Sequence, residues 1–565
     1  MKMKSLPRNR PLDYLILLAS ATAALETSFL GPNPCCEALY MSPHIPSPHL
    51  HYPGETSHKE LQRTPQYLNN HHFTPPCFYT PDATDEVAQA IKILLATNKT
   101  ISRGCKFAIR NGNDHTSGVY SSPSNTDIMM DLRKLNSITY HSSNSTLSVG
   151  PGATWREVYT YLSELPRSAS QPRNDNEADG ESELTFSTPK LISGPPPLLL
   201  SSPSTTLDSS ISDFFLSCTP AILSLGRGPS CDTVANFEVV LGDGGWLVNA
   251  NAKEHSNLFK ALRSGGAEAN LGLVTRLDLQ VANIEDGGIW GGVVKYPENT
   301  AEEQFKALAD FVENMGKRES GSEIASVVVM EKYSSSNGPG KLEFWNAYAN
   351  IALPREKADT SDTEPAHPPP ALQPFLSIPH NTSSTTKHHL NPTSLFLSPA
   401  SASAPQAKTH YLKTFTVILP ASSTLLLKAH LSLLTAISNL EETAIGSWTV
   451  SATYQPLPAT SESEAAHIHY EAFFEYQNLN GKPAQDGLFR KHAEELRKGI
   501  EGEIEKVGGR DVKVGGFPSS TANAENLREI AARYDPEGVF RYMVASSSGF
   551  RFSGGGSEGS ARAEL

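Results

Sequence analysis

Hydrophobic and polar positions fall into clear periods over only part of the chain, and the first begins after Pro81. Over residues 82–97 the apolar side chains Val87, Ile91, Leu94 and Leu95 recur at helical spacing, behind Asp82 or Thr84 as a cap, and predict a helix. Short apolar runs over 106–110, 127–132 and 145–149 predict strands. The last runs straight into Gly150-Pro151-Gly152, and helical spacing resumes over 155–162. The same vocabulary returns as a strand over 235–241, a turn at Gly242-Asp243-Gly244, a helix over 257–263 and a strand over 273–279. Strands and helices in such close succession predict an α+β fold.

Two stretches interrupt this order. Residues 166–210 open with a polar run and continue rich in Pro, Ser and Leu; residues 354–408 are rich in Pro, Ser, Thr and His. Neither carries enough well-patterned apolar surface to offset the entropy of ordering, so both are expected to be disordered inserts. A second unit of strands and helices is expected around the second insert, and the tail from Gly549 is Gly/Ser-rich and expected to be loose.

Composition fits a folded core diluted by such inserts: 565 residues, 38% hydrophobic, with 40 Gly and 41 Pro. A net charge of −13 leaves no basic stripe to displace phosphate counterions, which excludes an electrostatic nucleic-acid binder. No apolar run approaches the roughly 20 residues that a membrane-spanning helix needs. At the N-terminus, Lys2, Lys4, Arg8 and Arg10 precede a short apolar stretch ending in Ala21-Thr22-Ala23, the arrangement of a secretory signal over 1–24. Secretion agrees with the six cysteines, Cys35, Cys36, Cys77, Cys105, Cys218 and Cys231, an even number that permits full pairing in an oxidising compartment. Adjacent Cys35 and Cys36 are poorly placed to bridge each other and need partners elsewhere, with Cys77 and Cys105 nearest. Asn98, Asn144 and Asn381 head glycosylation triplets.

The chemistry is concentrated in two turns. Residues 110–115 (Arg-Asn-Gly-Asn-Asp-His) follow a strand; Gly and Asn tolerate positive φ, so successive backbone amides can face one concavity and hold a phosphate. Gly150-Pro151-Gly152-Ala153 ends another strand and precedes a helix, whose N-terminus also favours an anion. Together the two turns could embrace a diphosphate; two ordinary surface turns are the plainer alternative. Farther on, residues 467–476 alternate with period two: His467, His469, Glu471, Phe473 and Glu475 share one face, and Ile468, Tyr470, Phe474 and Tyr476 the other. A half-exposed strand with a solvated polar face accounts for that pattern, so no catalytic base is assigned. Other motifs fail on context: Gly555-Gly556-Ser557-Glu558-Gly559 lies in the tail, and the His71-His72 and His388-His389 pairs lack spaced partners, so no metal site is expected.

Taken in order, these segments resemble the FAD-binding domain of the berberine-bridge-enzyme-like flavoproteins, in the vanillyl-alcohol-oxidase and para-cresol-methylhydroxylase superfamily. The residues that carry the resemblance are Arg110 to His115, Asp131-Leu132, Val149 to Val158, Cys231 to Leu241, Asn257 to Gly266, Asn270 to Thr275 and Tyr534 to Phe540. The resemblance implies a two-part FAD-binding domain over 72–283, holding the first insert, and a substrate domain over 284–515 with an antiparallel sheet, flanking helices and the second insert. A C-terminal segment over 516–548 would return to the FAD domain, followed by the tail 549–565. It implies FAD contacts at Arg110, Asn111, Gly112, Asn113, Asp114, His115, Gly150, Pro151, Gly152, Asn270, Gly272, Val274 and Asn526. His115 matches the histidine that many members join covalently to the flavin. It further implies a secreted monomeric oxidase that passes hydride from a small organic substrate, a secondary metabolite or carbohydrate, to flavin and then to O2, with no nucleic-acid partner and no membrane contact after signal cleavage. Two departures stand out: Asn113-Asp114 replaces a single glycine, and the glycine-rich segment that the family places after the second turn is absent, with the first insert in its place. The alternative is a flavin-free relative, or an inactive product carrying untranslated sequence.

Overall fold

The computed structural model describes residues 33–62, 74–102, 104–111, 126–165, 198–199, 210–218, 220, 229–264, 271–283, 289–315, 323–336, 339–352, 370–383, 410–457, 467–477, 483–506 and 524–544. The signal segment, most of both inserts and the tail lie outside these.

The first unit contains two sheets. One has the order β1-β2-β4-β3, where β1 is Leu50–His51, β2 Cys77–Tyr79, β3 Phe107–Arg110 and β4 Ile128–Asp131. The β2, β3 and β4 strands run parallel, and every residue of the three is buried, as expected of strands covered on both faces. Helix α1 (Pro34–Tyr40) is fastened to this layer by disulfides Cys35–Cys105 and Cys36–Cys77, so the adjacent cysteines find the two partners nearest in sequence. Helix α2 (Thr84–Asn98) buries Val87, Ala90, Ile91, Leu94 and Leu95 on the predicted face. Its expected caps are engaged elsewhere. Thr84 Oγ1 donates to Glu238 at 3.0 Å, Asp82 faces His49 at 3.4 Å, and Ala83 stands at the N-cap.

The second sheet has the order β5-β6-β9-β7-β8, with β5 Ile138–His141, β6 Thr146–Val149, β7 Val234–Val240, β8 Leu247–Asn251 and β9 Leu273–Gln280, all pairs antiparallel. Helix α3 (Trp155–Glu164) follows β6 behind a capping box of Thr154 and Glu157. Helix α4 (Ile211–Leu216) was not anticipated; it packs Ile211, Phe214 and Phe215 against Trp155 and ends at the Cys218–Cys231 disulfide. Helix α5 is Ser256–Leu262.

The second unit is one antiparallel sheet in the order β13-β10-β12-β11-β15-β16-β14. Its strands are β10 Ile289–Tyr296, β11 Glu323–Ser336, β12 Lys341–Ala352, β13 Thr382–Ser383, β14 His410–Pro420, β15 Ser447–Leu457 and β16 His467–Gln477. One face is covered by α6 (Ala301–Met315), α7 (Ser423–Thr443) and α8 (Pro483–Lys506) through a core that includes Phe305, Leu433, Tyr348, Tyr470 and Phe474. On the other face Val293, Val328, Met330, Ala347 and Ala349 join the core of the second sheet of the first unit. The two units therefore share an interior.

Two expectations about the inserts are corrected. Residues 370–383, inside the stretch expected to be disordered, bury Leu372 and Phe375 in the second core and add β13 to the sheet edge. Three large apolar side chains, Leu372, Phe375 and Ile378, suffice to anchor that piece although its surroundings are polar. In the first insert, residues 198–199 pair antiparallel with 282–283, and Ser210 sits buried at the foot of α4. Finally α9 (Ala524–Tyr534) brings the chain back: Leu527, Ala531 and Tyr534 enter the first unit's core, and Val544 bridges Phe107 of β3.

Candidate functional site

Arg110 and Asp131 end neighbouring parallel strands in register, which brings their side chains together at one end of the first sheet. Both are 2% exposed. The Arg110 guanidinium donates to Asp131 and to the Leu61 carbonyl at 3.0 Å, and Arg133 donates to the same carboxylate at 2.9 Å. Burial alone would raise the Asp131 pKa, but the two guanidinium groups outweigh it and hold the carboxyl at about 2. The charge of Arg110 is thus matched inside the protein. Its place in the site is to anchor the strand end from which the first turn departs.

Asn111, the next residue, is buried and donates through Nδ2 to Asp213 Oδ1 at 3.0 Å. Its own Oδ1 has no partner among the described residues. Gly112, Asn113, Asp114 and His115 lie outside the described residues, as does Asn270. Asn526 falls in the first turn of α9, with its side chain undescribed.

The second turn departs from expectation. Gly150 N–H donates to the Ser137 carbonyl at 2.9 Å, Gly152 N–H to Leu135 at 2.9 Å, Ala153 N–H to Gly150 at 3.2 Å and Thr154 N–H to Glu157 Oε2 at 2.7 Å. Pro151 has no N–H. The amides of this turn are therefore spent within the protein, and a second amide cradle for a diphosphate is not what Gly150, Pro151 and Gly152 provide. Glycine is needed for a different reason: a Cβ at Gly150 would meet the Leu135 carbonyl, and one at Gly152 the backbone of Leu132 and Arg133. The turn lies flat on the loop leaving β4, and its Pro151 carbonyl accepts from Ser210 Oγ at 2.8 Å and Ser212 Oγ at 2.9 Å. In this way α4 closes over the turn and brings the Asp213 carboxylate beside Asn111. Sequence reasoning missed these residues, although Ile211, Phe214 and Phe215 stand at i, i+3 and i+4.

Gly272 and Val274 lie at the start of β9. A Cβ on Gly272 would run into the Val239 side chain, and Val274 is a core residue paired with Val239.

On β16 the two faces separate as the alternation predicts. Ile468, Tyr470, Phe474 and Tyr476 are buried beneath the helices, and the His467 face is the opposite side of the sheet. That face is not uniformly solvated. His469 is 8% exposed, has no hydrogen-bond partner among the described residues, and burial pushes its imidazole pKa down to about 4. Beneath the helices, Glu331 is fully buried and accepts from Tyr454 and His430, each at 2.5 Å.

One cluster has metal-ligand composition: His49, Asp82 and Glu86. Both His49 nitrogens already face carboxylates, at 2.8 Å for Glu86 and 3.4 Å for Asp82, so the cluster reads as a polar clip on α2.

Solved structures superpose over nearly the whole chain. The 6-hydroxy-D-nicotine oxidase of Arthrobacter nicotinovorans gives a TM-score of 0.59 at 14% identity, covering 89% of this chain and 98% of its own. The xylooligosaccharide oxidase of Myceliophthora thermophila, solved with xylobiose, gives 0.59 at 16% identity, covering 91% and 98%. A variant of berberine bridge enzyme bound to (S)-reticuline gives 0.58 at 12% identity, covering 91% and 99%. The chain has the berberine-bridge-enzyme-like fold of the FAD-linked oxidoreductases. In sequence, it is a homologue of fungal proteins named FAD-dependent monooxygenases. One, from Emericella nidulans, is 25% identical over 532 residues, covering 90% of this chain and 97% of the relative. Another, from Aspergillus calidoustus, is 25% identical over 516 residues, covering 84% and 83%. No family model matches the chain.

Within this berberine-bridge-like fold, the buried polar atoms left without partners test whether a flavin dinucleotide fits. Asn111 Oδ1 needs a donor and Trp155 Nε1 an acceptor, and both flank the two turns. FAD carries ribityl and ribose hydroxyls for the first, and hydroxyl, carbonyl and ring-nitrogen acceptors for the second. The chemistry of the donor set is compatible with that cofactor. Among the described residues no helix is long and apolar enough to cross a membrane, and all six cysteines are paired.

Proposed function

We propose that the chain is a secreted FAD-dependent oxidoreductase that oxidises a small organic molecule, a secondary metabolite or a carbohydrate, and returns the electrons to O2. The observation that carries this reading is kinship over almost the full length: one relative named as FAD-dependent aligns with 90% of the chain, and solved oxidases cover about as much. When bound, FAD supplies the two-electron acceptor, and the protein supplies position and electrostatics. Residues 111–115, with Asn270 and Asn526, are the proposed dinucleotide contacts; the Arg110–Asp131 pair anchors the strand end before them, and α4 lies beside Asn111 through Asp213. His115 is the proposed covalent attachment point. Three disulfides and the N-terminal signal pattern support an extracellular location.

One observation favours the flavin-free alternative: an acidic side chain, Asp213, is buried beside Asn111, where the segment that should receive a diphosphate begins. Expression of the full chain by a fungal secretory host decides between them. A yellow protein whose flavin survives acid precipitation, and is released by His115→Ala, is the expected result. A colourless protein that takes up no FAD on reconstitution overturns the proposal. Peroxide release with a panel of benzylic alcohols, phenols and oligosaccharides then identifies the substrate class.

A further inference from the structure

All three Asn-X-Ser/Thr triplets lie among the described residues, and the fold treats them differently. Asn144 sits in the turn between β5 and β6, where every residue from His141 to Ser145 is exposed. Its Oδ1 accepts from Thr146 Oγ1, the hydroxyl of its own triplet, at 2.7 Å. Ser145 between them takes a left-handed φ of 51°, which holds the triplet in a tight turn. Asn381 is exposed at the head of β13, the end strand of the large sheet among the described residues. Its backbone N–H donates to the Lys295 carbonyl at 3.0 Å, so the main chain is fixed while the side chain meets solvent.

Asn98 is the exception. It closes α2, is half-buried, and its Oδ1 accepts from the Cys105 N–H at 2.8 Å, beside the Cys35–Cys105 disulfide. Oδ1 also lies so near Gly104 that a Cβ there would stand 2.6 Å from it. Thr100, the third residue of this triplet, turns its hydroxyl back to the Thr97 carbonyl at 2.8 Å. A glycosylated asparagine is a secondary amide, planar and trans, so the sugar C1 leaves Nδ2 on the same side as Oδ1. At Asn98 the surroundings of Oδ1 are taken up by the backbone of Gly104 and Cys105. We infer that Asn144 and Asn381 are N-glycosylation sites of the folded protein and that Asn98 is left bare. The inference rests on the secreted reading above.

The co-substrate is the lipid-diphosphate-linked oligosaccharide of a secretory host. Asn Nδ2 attacks its anomeric carbon and the C–N bond forms. The C–O bond to the diphosphate breaks, its electron pair leaves with the lipid diphosphate, and one Nδ2 proton passes to a base of the host transferase. The transferase acts on chain that has not yet folded, so partners close in sequence matter most. Thr146 lies two residues from Asn144, and their hydrogen bond needs no tertiary structure. The Asn98 bracket reaches seven residues on, across a helix end. A chain modified at Asn98 has to clear that bracket of sugar before the first unit closes, and folded secreted chains are expected bare there. At Asn381 the glycan stands at the edge of the large sheet, where bulky hydrophilic cover opposes pairing with another chain.

The test uses the full chain secreted by a fungal host. Peptide-N-glycosidase in heavy-oxygen water converts each modified asparagine to labelled aspartate, and mass spectrometry of proteolytic peptides reads each site. Label at Asn144 and Asn381, with none at Asn98, is the expected result. Label at Asn98 in the secreted protein, or none at Asn144 or at Asn381, overturns the inference. Asn144→Gln and Asn381→Gln should each remove one step of gel mobility, and the double variant should migrate like the enzymatically deglycosylated chain. A step that survives in the double variant overturns it too. Reductant added to the growing cells keeps Cys35 and Cys105 apart, and the chain retained inside is expected to gain label at Asn98. Absence of that label would show that closure around Cys105 is not what spares Asn98, and overturns the structural reason. A chain found in the cytosol with its N-terminal segment intact defeats the parent reading instead, so the two failures are distinguishable.

Discussion

At the scale of single residues, the molecule stakes stability on a few buried ionic groups, and their surroundings decide their charge. His430 is the clearest case. Burial would disfavour its imidazolium, but the hydrogen bond and charge of Glu331 outweigh burial and raise its pKa above the ordinary 6.5. A raised folded value means that the stabilisation is fully present below 6.5 and is lost as pH rises through the folded value. Chemical denaturation should therefore show stability declining as pH rises above 6.5. His430→Gln should remove that slope and cost about 3–5 kcal/mol in acid, because Glu331 is left buried without its cation. A wild type with the same midpoint at pH 6 and pH 9 would contradict the assignment. Arg110 and Asp131 follow the same logic with the opposite sign, their pair surviving until pH falls towards about 2.

At the scale of elements, the turn at Gly150–Ala153 shows one motif serving a purpose other than the one its letters suggest. Small residues after a strand and before a helix read as an anion cradle, yet here the amides close onto the neighbouring loop. The glycines permit contact between two backbones. Gly152→Ala should therefore destabilise the first unit by about 1–3 kcal/mol through overpacking against Leu132 and Arg133. The loss should appear equally in flavin-free and flavin-loaded protein. A variant of normal stability that merely binds flavin less well would restore the turn to the cofactor. Helix α4 teaches the converse. Six residues in an otherwise unpromising stretch carry an apolar triplet, and packing on Trp155 gives them a fixed place.

At the scale of the whole molecule, the C-terminal segment ties distant layers together. Leu527, Ala531 and Tyr534 complete the core shared by both units, while Val539, Phe540, Met543 and Val544 fill the core around the first sheet. Asp535 caps this return by accepting from the amides of Val539 at 2.7 Å and Phe540 at 3.0 Å. Truncation after residue 523 removes apolar surface from two cores at once. Limited proteolysis should then find the first unit degraded before the sheet of the second, which keeps its own helices. Equal resistance to that of the intact chain would show that the return is dispensable.

The sequence by itself determined the local elements of the first unit and the face assignment on β16. Those features depend on periodicity and on residues next to one another, which are fully present in one dimension. It also determined the order of the flavoprotein-like segments, because each is a short run whose letters must stay adjacent to make a turn or a strand end. Only the tertiary structure decided that Arg110 is neutralised by Asp131, that the Gly150–Ala153 amides are spent, that α4 closes the turn and that His469 is buried. Each of these depends on what lies across a gap of many residues. Burial, hydrogen-bond satisfaction and the charge state of a side chain are properties of its neighbours in space, and no local pattern encodes them.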